Sequence, residues 1–246
     1  MKYLLILFLF TFYGSSCQKK NDTQQMVVNP LPPVSTNTDT GIKNFTYLAL
    51  GDSYTIGHGV TPENNYPNQT ISLLKKNKLN GQARIIATTG WTTTDLKNGI
   101  GRAESDSTLL HQYDIVTLLI GVNNEYQGMP IDIYKTQFEQ LLKKAISLAG
   151  NKATHVIVLS IPDWGVTPFA NGRNREEISK EIDDYNLINK SFAGKYGVNY
   201  IDITPWTREA STDPSLLAPD QLHPSGKEYA RWAVSLGRII KNILVY

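Results

Sequence analysis

The chain of 246 residues contains only one cysteine, Cys17. A single cysteine cannot form an intramolecular disulfide or a cysteine cluster around a metal, so packing has to stabilise the fold. The chain also lacks a long basic block, because 24 Lys and Arg residues are balanced by 22 Asp and Glu residues. This balance gives no support for nucleic acid as a partner. A Gly-rich phosphate-binding loop followed by Lys is missing too, which disfavours phosphoryl transfer.

No apolar run near the N-terminus is long enough to span a bilayer, which takes about 20 residues. The run from Tyr3 to Tyr13 follows Lys2 and precedes the small residues Gly14, Ser15 and Ser16, as in a signal peptide. Small residues directly before the only cysteine resemble the lipobox of bacterial lipoproteins, although Gly14 stands where Leu is usual. We therefore predict a lipoprotein signal peptide at residues 1–17, ending at the lipidated Cys17. The alternative is an ordinary secreted protein with an incidental cysteine.

Residues 18–43 are rich in Asn, Thr, Gln and Pro and show no apolar periodicity. Such a composition is typical of a disordered tether that lets a folded domain stand off a membrane, and a merely disordered N-terminus would have the same composition. We therefore expect a lipid-anchored protein of the bacterial cell envelope, on the periplasmic side or at the cell surface. We expect it to be a monomer that meets the membrane only through its lipid.

Short apolar runs alternate with longer segments of helical spacing between residues 44 and 246. Runs rich in Val, Ile and Leu without polar alternation are typical of parallel strands that are covered on both faces. The pattern predicts an α/β fold, a three-layer α/β/α sandwich around a five-stranded parallel sheet. The predicted strands are Phe45–Leu50, Arg84–Thr88, Asp114–Ile120, His155–Ile161 and Val198–Ile203, and the predicted helices are Tyr66–Leu79, Asp95–Leu110, Ile131–Ala149, Arg175–Tyr196 and Ser225–Leu244.

Residues that are able to take part in catalysis or ligand binding follow the predicted strands. In open parallel sheets, ligands bind beyond the carboxyl ends of the strands. We therefore expect these segments to meet at one edge of the sheet. They are Gly51-Asp52-Ser53, Gly90-Trp91, Gly121-Val122-Asn123-Asn124, Pro162-Asp163-Trp164 and, in a longer loop, Asp220-Gln221-Leu222-His223.

Three of these residues have the chemistry of a nucleophile with its base. Ser53 is a poor nucleophile unless a neighbouring group accepts its proton. Asp220 and His223 are separated by two residues, a spacing at which the carboxylate can reach imidazole Nδ1 and leave Nε2 free for the serine proton. The natural oxyanion donors are the backbone N–H groups of Ser53 and Gly90 and the side-chain amide of Asn123.

Four segments of the chain resemble, in order and spacing, the four sequence blocks of the SGNH hydrolases, also called GDSL esterases or lipases. These segments are Gly51-Asp52-Ser53, Gly90, Gly121-Val122-Asn123 and Asp220-Gln221-Leu222-His223-Pro224. The resemblance covers nearly the whole domain at residues 44–246. It implies a flavodoxin-like sheet, no cofactor, a triad of Ser53, Asp220 and His223, and an oxyanion hole of Ser53, Gly90 and Asn123. Asn124 departs from the pattern, since an Asp often follows the Asn of the third block. The serine does not lie in Gly-x-Ser-x-Gly, so the nucleophile elbow of the α/β-hydrolases is not supported.

Other polar and aromatic residues near the strand ends are candidates for binding substrate. Trp91 and Trp164 can contact a sugar ring or an acyl group, or can simply cover the sheet edge. His58 can line the cleft or belong to a surface loop, and no two histidines have a spacing that suggests a metal site. The candidate substrate-binding residues are Asp52, Trp91, Asn124 and Trp164, and we expect no metal.

The leading hypothesis is a serine esterase that forms an acyl-enzyme. A small domain with short helices leaves little room for a large lid, which favours short acyl groups such as acetyl esters of carbohydrates. The alternatives are an acylhydrolase of lipids, like a lysophospholipase or thioesterase, and a non-catalytic surface module that binds glycans. We expect a small-molecule, glycan or lipid ester as substrate.

Overall fold

The structure of the protein is a computed structural model, and it describes residues 41–245. The predicted signal peptide, the lipidation of Cys17 and the predicted tether up to residue 40 lie outside the described residues. None of the helices in the described part of the chain combines the length and the apolar character that a bilayer crossing requires.

A five-stranded parallel sheet forms the centre of the domain. Its strand order is β2-β1-β3-β4-β5, which is the flavodoxin-like order. All residues of the two strands β3 and β4 are buried, because helices cover both of their faces. The strands are β1 (Lys43–Gly51), β2 (Leu79–Ala87), β3 (Ile115–Leu119), β4 (Val156–Leu159) and β5 (Asn199–Ile201).

Helices pack on the two faces of the sheet and complete a three-layer α/β/α sandwich. Helix α2 packs against α8 in one layer, while α5 packs against both α3 and α6 in the other. The predicted fold class is thereby confirmed. The helices are α1 (Ser53–Ile56), α2 (Tyr66–Lys75), α3 (Thr93–Ser105), α4 (Val122–Tyr126), α5 (Ile131–Leu148), α6 (Arg175–Tyr196), α7 (Thr204–Arg208) and α8 (Gly226–Val245).

Local capping explains where several helices begin and end. Helix α6 has the predicted bounds, since Asn174 caps its first turn and Gly197, with a φ of 66°, ends it in the left-handed conformation. Helix α3 begins two residues before the predicted Asp95. Asp95 and Thr92 form a capping box there, in which each side chain accepts a hydrogen bond from the backbone N–H of the other residue.

Strand β2 is the clearest difference from the sequence-based expectation. It begins at Leu79, whereas the prediction began it at Arg84 and extended the preceding helix to Leu79. The early part of β2 is polar, but it pairs with β1 in continuous register. Because β2 is an edge strand that pairs through its backbone, polar side chains are tolerated there, and the apolar pattern alone does not reveal it.

Candidate functional site

Ser53 lies directly after β1, as the first residue of the short helix α1, and its side chain is nearly buried. The turn into this helix depends on Gly51, because a Cβ at that position would lie 2.4 Å from the carbonyl oxygen of Leu119 in β3. Gly57, with a φ of 83°, ends the helix after one turn. The chain thus presents Ser53 at the carboxyl edge of the sheet.

Ser53, His223 and Asp220 form a continuous hydrogen-bonded chain. His223 Nε2 lies 2.9 Å from Ser53 Oγ, and His223 Nδ1 lies 2.7 Å from Asp220 Oδ2. The other carboxylate oxygen, Oδ1, accepts the backbone N–H groups of Leu222 and His223, each at 3.0 Å. Asp220 therefore fixes both the loop and the orientation of the imidazole ring.

The electrostatics of this chain favour a neutral histidine beside an ionised aspartate. Burial lowers the pKa of His223 below its ordinary value of 6.5, although the hydrogen bond and charge of Asp220 oppose this shift. Burial acts to raise the pKa of Asp220, but the hydrogen bonds from His223 and the backbone hold it below the ordinary range. At neutral pH, His223 is thus able to accept a proton from Ser53.

Gly90 and Asn123 lie beside Ser53 in the same cleft. Gly90 has a φ of 84°, which favours glycine, and the space on its Cβ side is open. Asn123 is the second residue of α4, and its amide donates to the carbonyl oxygen of Trp91 at 2.9 Å. This bond orients the amide, whose second N–H remains available for an oxyanion next to Ser53.

The cleft has a volume of about 150 Å³, and aromatic side chains form much of its wall. Trp164 is the buried part of this wall, while Tyr126 and Phe169 are 41% and 45% exposed at the rim. We call Tyr126, Trp164 and Phe169 the aromatic wall; the ring centroids of Tyr126 and Phe169 lie 5.3 and 6.0 Å from that of Trp164. The other lining residues are Ser53, Tyr54, Thr89, Gly90, Val122, Asn123, Leu222 and His223.

Two ionisable residues, Glu125 and Arg173, contact the aromatic wall. Trp164 Nε1 donates to Glu125 Oε2 at 2.6 Å, and burial raises the pKa of the Glu125 carboxyl. The Arg173 guanidinium lies 5.0 and 5.3 Å from the ring centroids of Tyr126 and Trp164. Of these residues, only Trp164 was predicted from the sequence as a candidate for substrate binding. Tyr126 could have been predicted as a cleft residue, since it follows Asn123 in the same short helix. The positions of Phe169 and Arg173 depend on the conformation of their loop, which the sequence does not reveal.

Three of the four candidate substrate-binding residues lie outside the cleft lining, and only Trp164 is part of it. Asp52 is fully buried below Ser53, where its side chain caps α1 by accepting the Tyr54 N–H, and burial raises its pKa to about 7. The Trp91 ring packs closely on Gly99 of α3. The burial of Asp52 corrects its expected role in substrate binding, while the half-buried Trp91 is not among the residues that line the cleft.

Asn124, the residue that departs from the family pattern, is also fully buried and does not reach the cleft. Its Oδ1 accepts the Thr93 N–H at 3.0 Å, and its Nδ2 lies 2.8 Å from Thr93 Oγ1. The side chain therefore ties α4 to the first turn of α3. This placement corrects the candidate role in substrate binding, since the residue holds the two loops that carry Gly90 and Asn123.

Replacing Asn124 with alanine is expected to lower the free energy of unfolding by about 1–3 kcal/mol, because it leaves the buried Thr93 N–H without its acceptor. Urea unfolding measures the effect. Gln127→Ala is the matched control, since Gln127 is an exposed residue directly after α4 and its replacement should leave the free energy of unfolding nearly unchanged. Equal stability of Asn124→Ala and the wild type would contradict this account.

The remaining histidines have different surroundings. His155 lies at the opposite edge of the sheet, where its Nδ1 is 2.7 Å from the carbonyl oxygen of Asp114. His58 instead lies beside the hydrogen-bonded chain: its ring centroid is 4.7 Å from that of His223, and its Nε2 is 3.9 Å from Asp220 Oδ2. The sequence left the position of His58 open, and the structure places it next to His223 without a hydrogen bond to it.

The protein resembles solved esterase structures over most of its length. A psychrotrophic esterase from Pseudoalteromonas sp. is 18% identical with a TM-score of 0.59, and the match covers 82% of this chain and 99% of that one. An acetylxylan esterase from Geobacillus stearothermophilus is 19% identical with a TM-score of 0.62, covering 81% and 95%. A lipase/acylhydrolase from Enterococcus faecalis is 18% identical with a TM-score of 0.60, covering 80% and 96%. At such identities the likeness shows the shared fold.

The amino-acid sequence identifies the family more directly. None of the curated proteins that were compared matches the chain. The model of the GDSL-like lipase/acylhydrolase family, however, matches residues 49–231, a range that includes Ser53, Gly90, Asn123, Asp220 and His223. Because this match spans most of the chain, the protein belongs to the GDSL-like lipase/acylhydrolase family.

Proposed function

We propose that this carboxylic ester hydrolase removes short acyl groups, acetyl above all, from carbohydrates, with Ser53 as the nucleophile. The hydrogen-bonded chain of Ser53, His223 and Asp220 carries the proposal. As Ser53 Oγ attacks the ester carbonyl, its proton passes to His223 Nε2. His223 then protonates the leaving alcohol, and the acyl group stays on Ser53 as an ester.

Water completes the reaction by the same steps. His223 Nε2 takes a proton from water, which attacks the acyl-enzyme, and then returns the proton to Ser53 Oγ as the acid leaves. In both halves the carbonyl oxygen becomes an oxyanion. The backbone N–H groups of Ser53 and Gly90 and the free N–H of the Asn123 amide are the proposed donors to it. Removing one such donor typically lowers turnover by about 10²- to 10³-fold.

The size of the cleft supports a short acyl group. Its volume of about 150 Å³ includes the space above the nucleophile, and the leaving alcohol has to share it. An acetyl group with part of a sugar ring suits this space, whereas a long acyl chain would have to extend out of it.

The aromatic wall supports a carbohydrate as the alcohol. The exposed rings of Tyr126 and Phe169 at the rim offer flat apolar surfaces next to a polar opening, and a sugar ring presents C–H groups on one face and hydroxyls on its edge. The proposal includes the location predicted from Met1 to Cys17, a lipid anchor in the bacterial envelope, where the enzyme would meet acylated carbohydrates or lipids. Its support comes from sequence alone.

The proposed substrate class predicts a chain-length profile. With p-nitrophenyl esters from acetate to dodecanoate, kcat/KM should be highest for acetate and fall as the acyl chain grows, because longer chains exceed the cleft. Acetylated xylo-oligosaccharides should release acetate under the same conditions. Rates that rise with chain length would instead support the lipid acylhydrolase.

A variant of the rim tests the carbohydrate part of the proposal separately. Phe169→Ala removes an exposed ring and should raise KM for acetylated oligosaccharides by about two- to tenfold, the range expected for one aromatic contact. Vinyl acetate, which has no ring to contact Phe169, is the matched control substrate and should be hydrolysed unchanged. An equal effect on both substrates would assign Phe169 to the acyl side or to loop stability.

The lowered pKa of His223 predicts activity at mildly acidic pH. The reaction needs neutral His223, so kcat/KM falls as the pH drops through the pKa of this residue. Because burial lowers that pKa, the acid half-point of the kcat/KM profile should lie below pH 6.5. A profile measured with vinyl acetate, a substrate without ionisable groups, checks this, and a half-point above 6.5 would contradict the assignment.

A further inference from the structure

His58 lies beside Ser53, Asp220 and His223, in a loop that packs closely against Asp220. Gly57 and Gly59 flank it, both with positive φ, and a Cβ on Gly59 would lie 3.1 Å from Asp220 Oδ2. His58 Nδ1 is 2.9 Å from the Thr89 hydroxyl, which fixes the ring and turns Nε2 toward the carboxylate. An imidazole oriented in this way by its other nitrogen is typical of metal-binding histidines.

Potential ligand atoms of His58, Asp220 and His223 all lie within 4.8 Å of one another. Two imidazoles and one carboxylate form a ligand set that suits Zn²⁺ and similar transition ions. In a tetrahedral zinc site, neighbouring ligand atoms are about 3.3 Å apart. A bound ion would have to draw His58 Nε2 and Asp220 Oδ2 closer than their present 3.9 Å, and the ligand atoms of the whole cluster closer than their present limit of 4.8 Å, through rotation of the partly exposed His58 and Asp220 side chains.

We propose that His58, Asp220 and His223 form an inhibitory binding site for a divalent transition ion, with Zn²⁺ as the representative ion. The spacing of the histidines does not indicate this site, since His58 and His223 are far apart along the chain. The ion-binding part of the proposal stands on geometry alone, whereas the inhibition rests on the proposed function.

Inhibition follows whichever nitrogen of His223 binds the ion. If Nε2 binds it, the lone pair that accepts the serine proton is occupied. If Nδ1 binds it, the ring proton moves from Nδ1 to Nε2, and Nε2 becomes a donor to Ser53 Oγ. The hydrogen bond of 2.7 Å between Nδ1 and Asp220 Oδ2 is also replaced in that case. In both arrangements His223 can no longer serve as a general base.

Inhibition by ZnCl₂ is the first readout, measured with vinyl acetate and protein that carries no histidine tag. Zn²⁺ should inhibit reversibly, and EDTA should restore the rate. Mg²⁺ should have no effect at the same concentration, since it prefers oxygen ligands. His58→Gln should raise the Zn²⁺ concentration for half-inhibition, measured against the metal-free rate of the same variant, by at least about tenfold. Equal inhibition of wild type and His58→Gln would overturn the proposal.

Calorimetric titration with ZnCl₂ tests the site without any reaction. Ser53→Ala protein should bind one ion, and Ser53→Ala combined with His58→Gln should lose that binding event, with circular dichroism checking that both are folded. Unchanged binding in the double variant would overturn the metal site. If the wild type hydrolyses no ester while Zn²⁺ binding still depends on His58, the metal site is supported and the proposed function is refuted, so the two failures are distinguishable.

Discussion

Replacing Ser53 with alanine is expected to lower kcat for ester hydrolysis by about 10⁴- to 10⁶-fold, the largest effect of any single substitution considered for this protein. Without Oγ no acyl-enzyme forms, and only the oxyanion donors and substrate binding remain to accelerate attack by water. The rate of p-nitrophenyl acetate hydrolysis at saturating substrate measures the loss.

Ser147→Ala is the matched control for this substitution. Ser147 is an exposed serine near the end of α5, and its replacement should leave kcat unchanged. The Ser53→Ala variant should also keep the urea unfolding midpoint of the wild type to within a small margin, because it removes a single hydroxyl group. A Ser53→Ala protein that retains more than a few per cent of the wild-type kcat would refute the assigned nucleophile.

Replacing Asp220 with asparagine should lower kcat by about 10³- to 10⁴-fold with little change in structure. The asparagine Oδ1 can still accept the N–H groups of Leu222 and His223, so the turn persists. Its Nδ2 donor would then face His223 Nδ1, which has to become an acceptor. The ring proton moves to Nε2, and His223 points a donor at Ser53 Oγ where an acceptor is needed.

The combined variant shows whether Asp220 acts through His223 and Ser53. If the three residues form one unit, Ser53→Ala together with Asp220→Asn should be no slower than Ser53→Ala alone. Multiplied losses in the combined variant would mean that Asp220 contributes by a separate route. An Asp220→Asn enzyme with wild-type kcat would show that the carboxylate has no part in orienting the imidazole.

Much of the architecture was predictable from apolar periodicity. The buried strands β3 and β4 and the long helices α5 and α6 have strong apolar patterns, since the strands lie inside the hydrophobic core and the helices cover it. Their predicted positions agree with the structure. The polar edge strand β2 was found only in part, because backbone pairing with β1 determines where it begins. Capping by Thr92 and Asp95 likewise determined the start of α3.

The candidate site divides in the same way. By itself, the sequence determined that Ser53, Gly90, Asn123, Asp220 and His223 would meet, because in a parallel sheet every strand ends at the same edge. It also indicated the family through the order of the four blocks. The structure adds the distance of 2.9 Å between His223 Nε2 and Ser53 Oγ, on which the proposed proton transfer depends.

Only the tertiary structure decided which side chains face the cleft. Asp52 belongs to a family block and Asn124 directly follows one, yet both side chains are buried and accept backbone N–H groups of Tyr54 and Thr93. Phe169 and His58 belong to no block, yet one forms the rim and the other approaches Asp220. A sequence pattern records which residues follow a strand, whereas the direction of each side chain depends on loop dihedral angles and on contacts between segments distant in the chain.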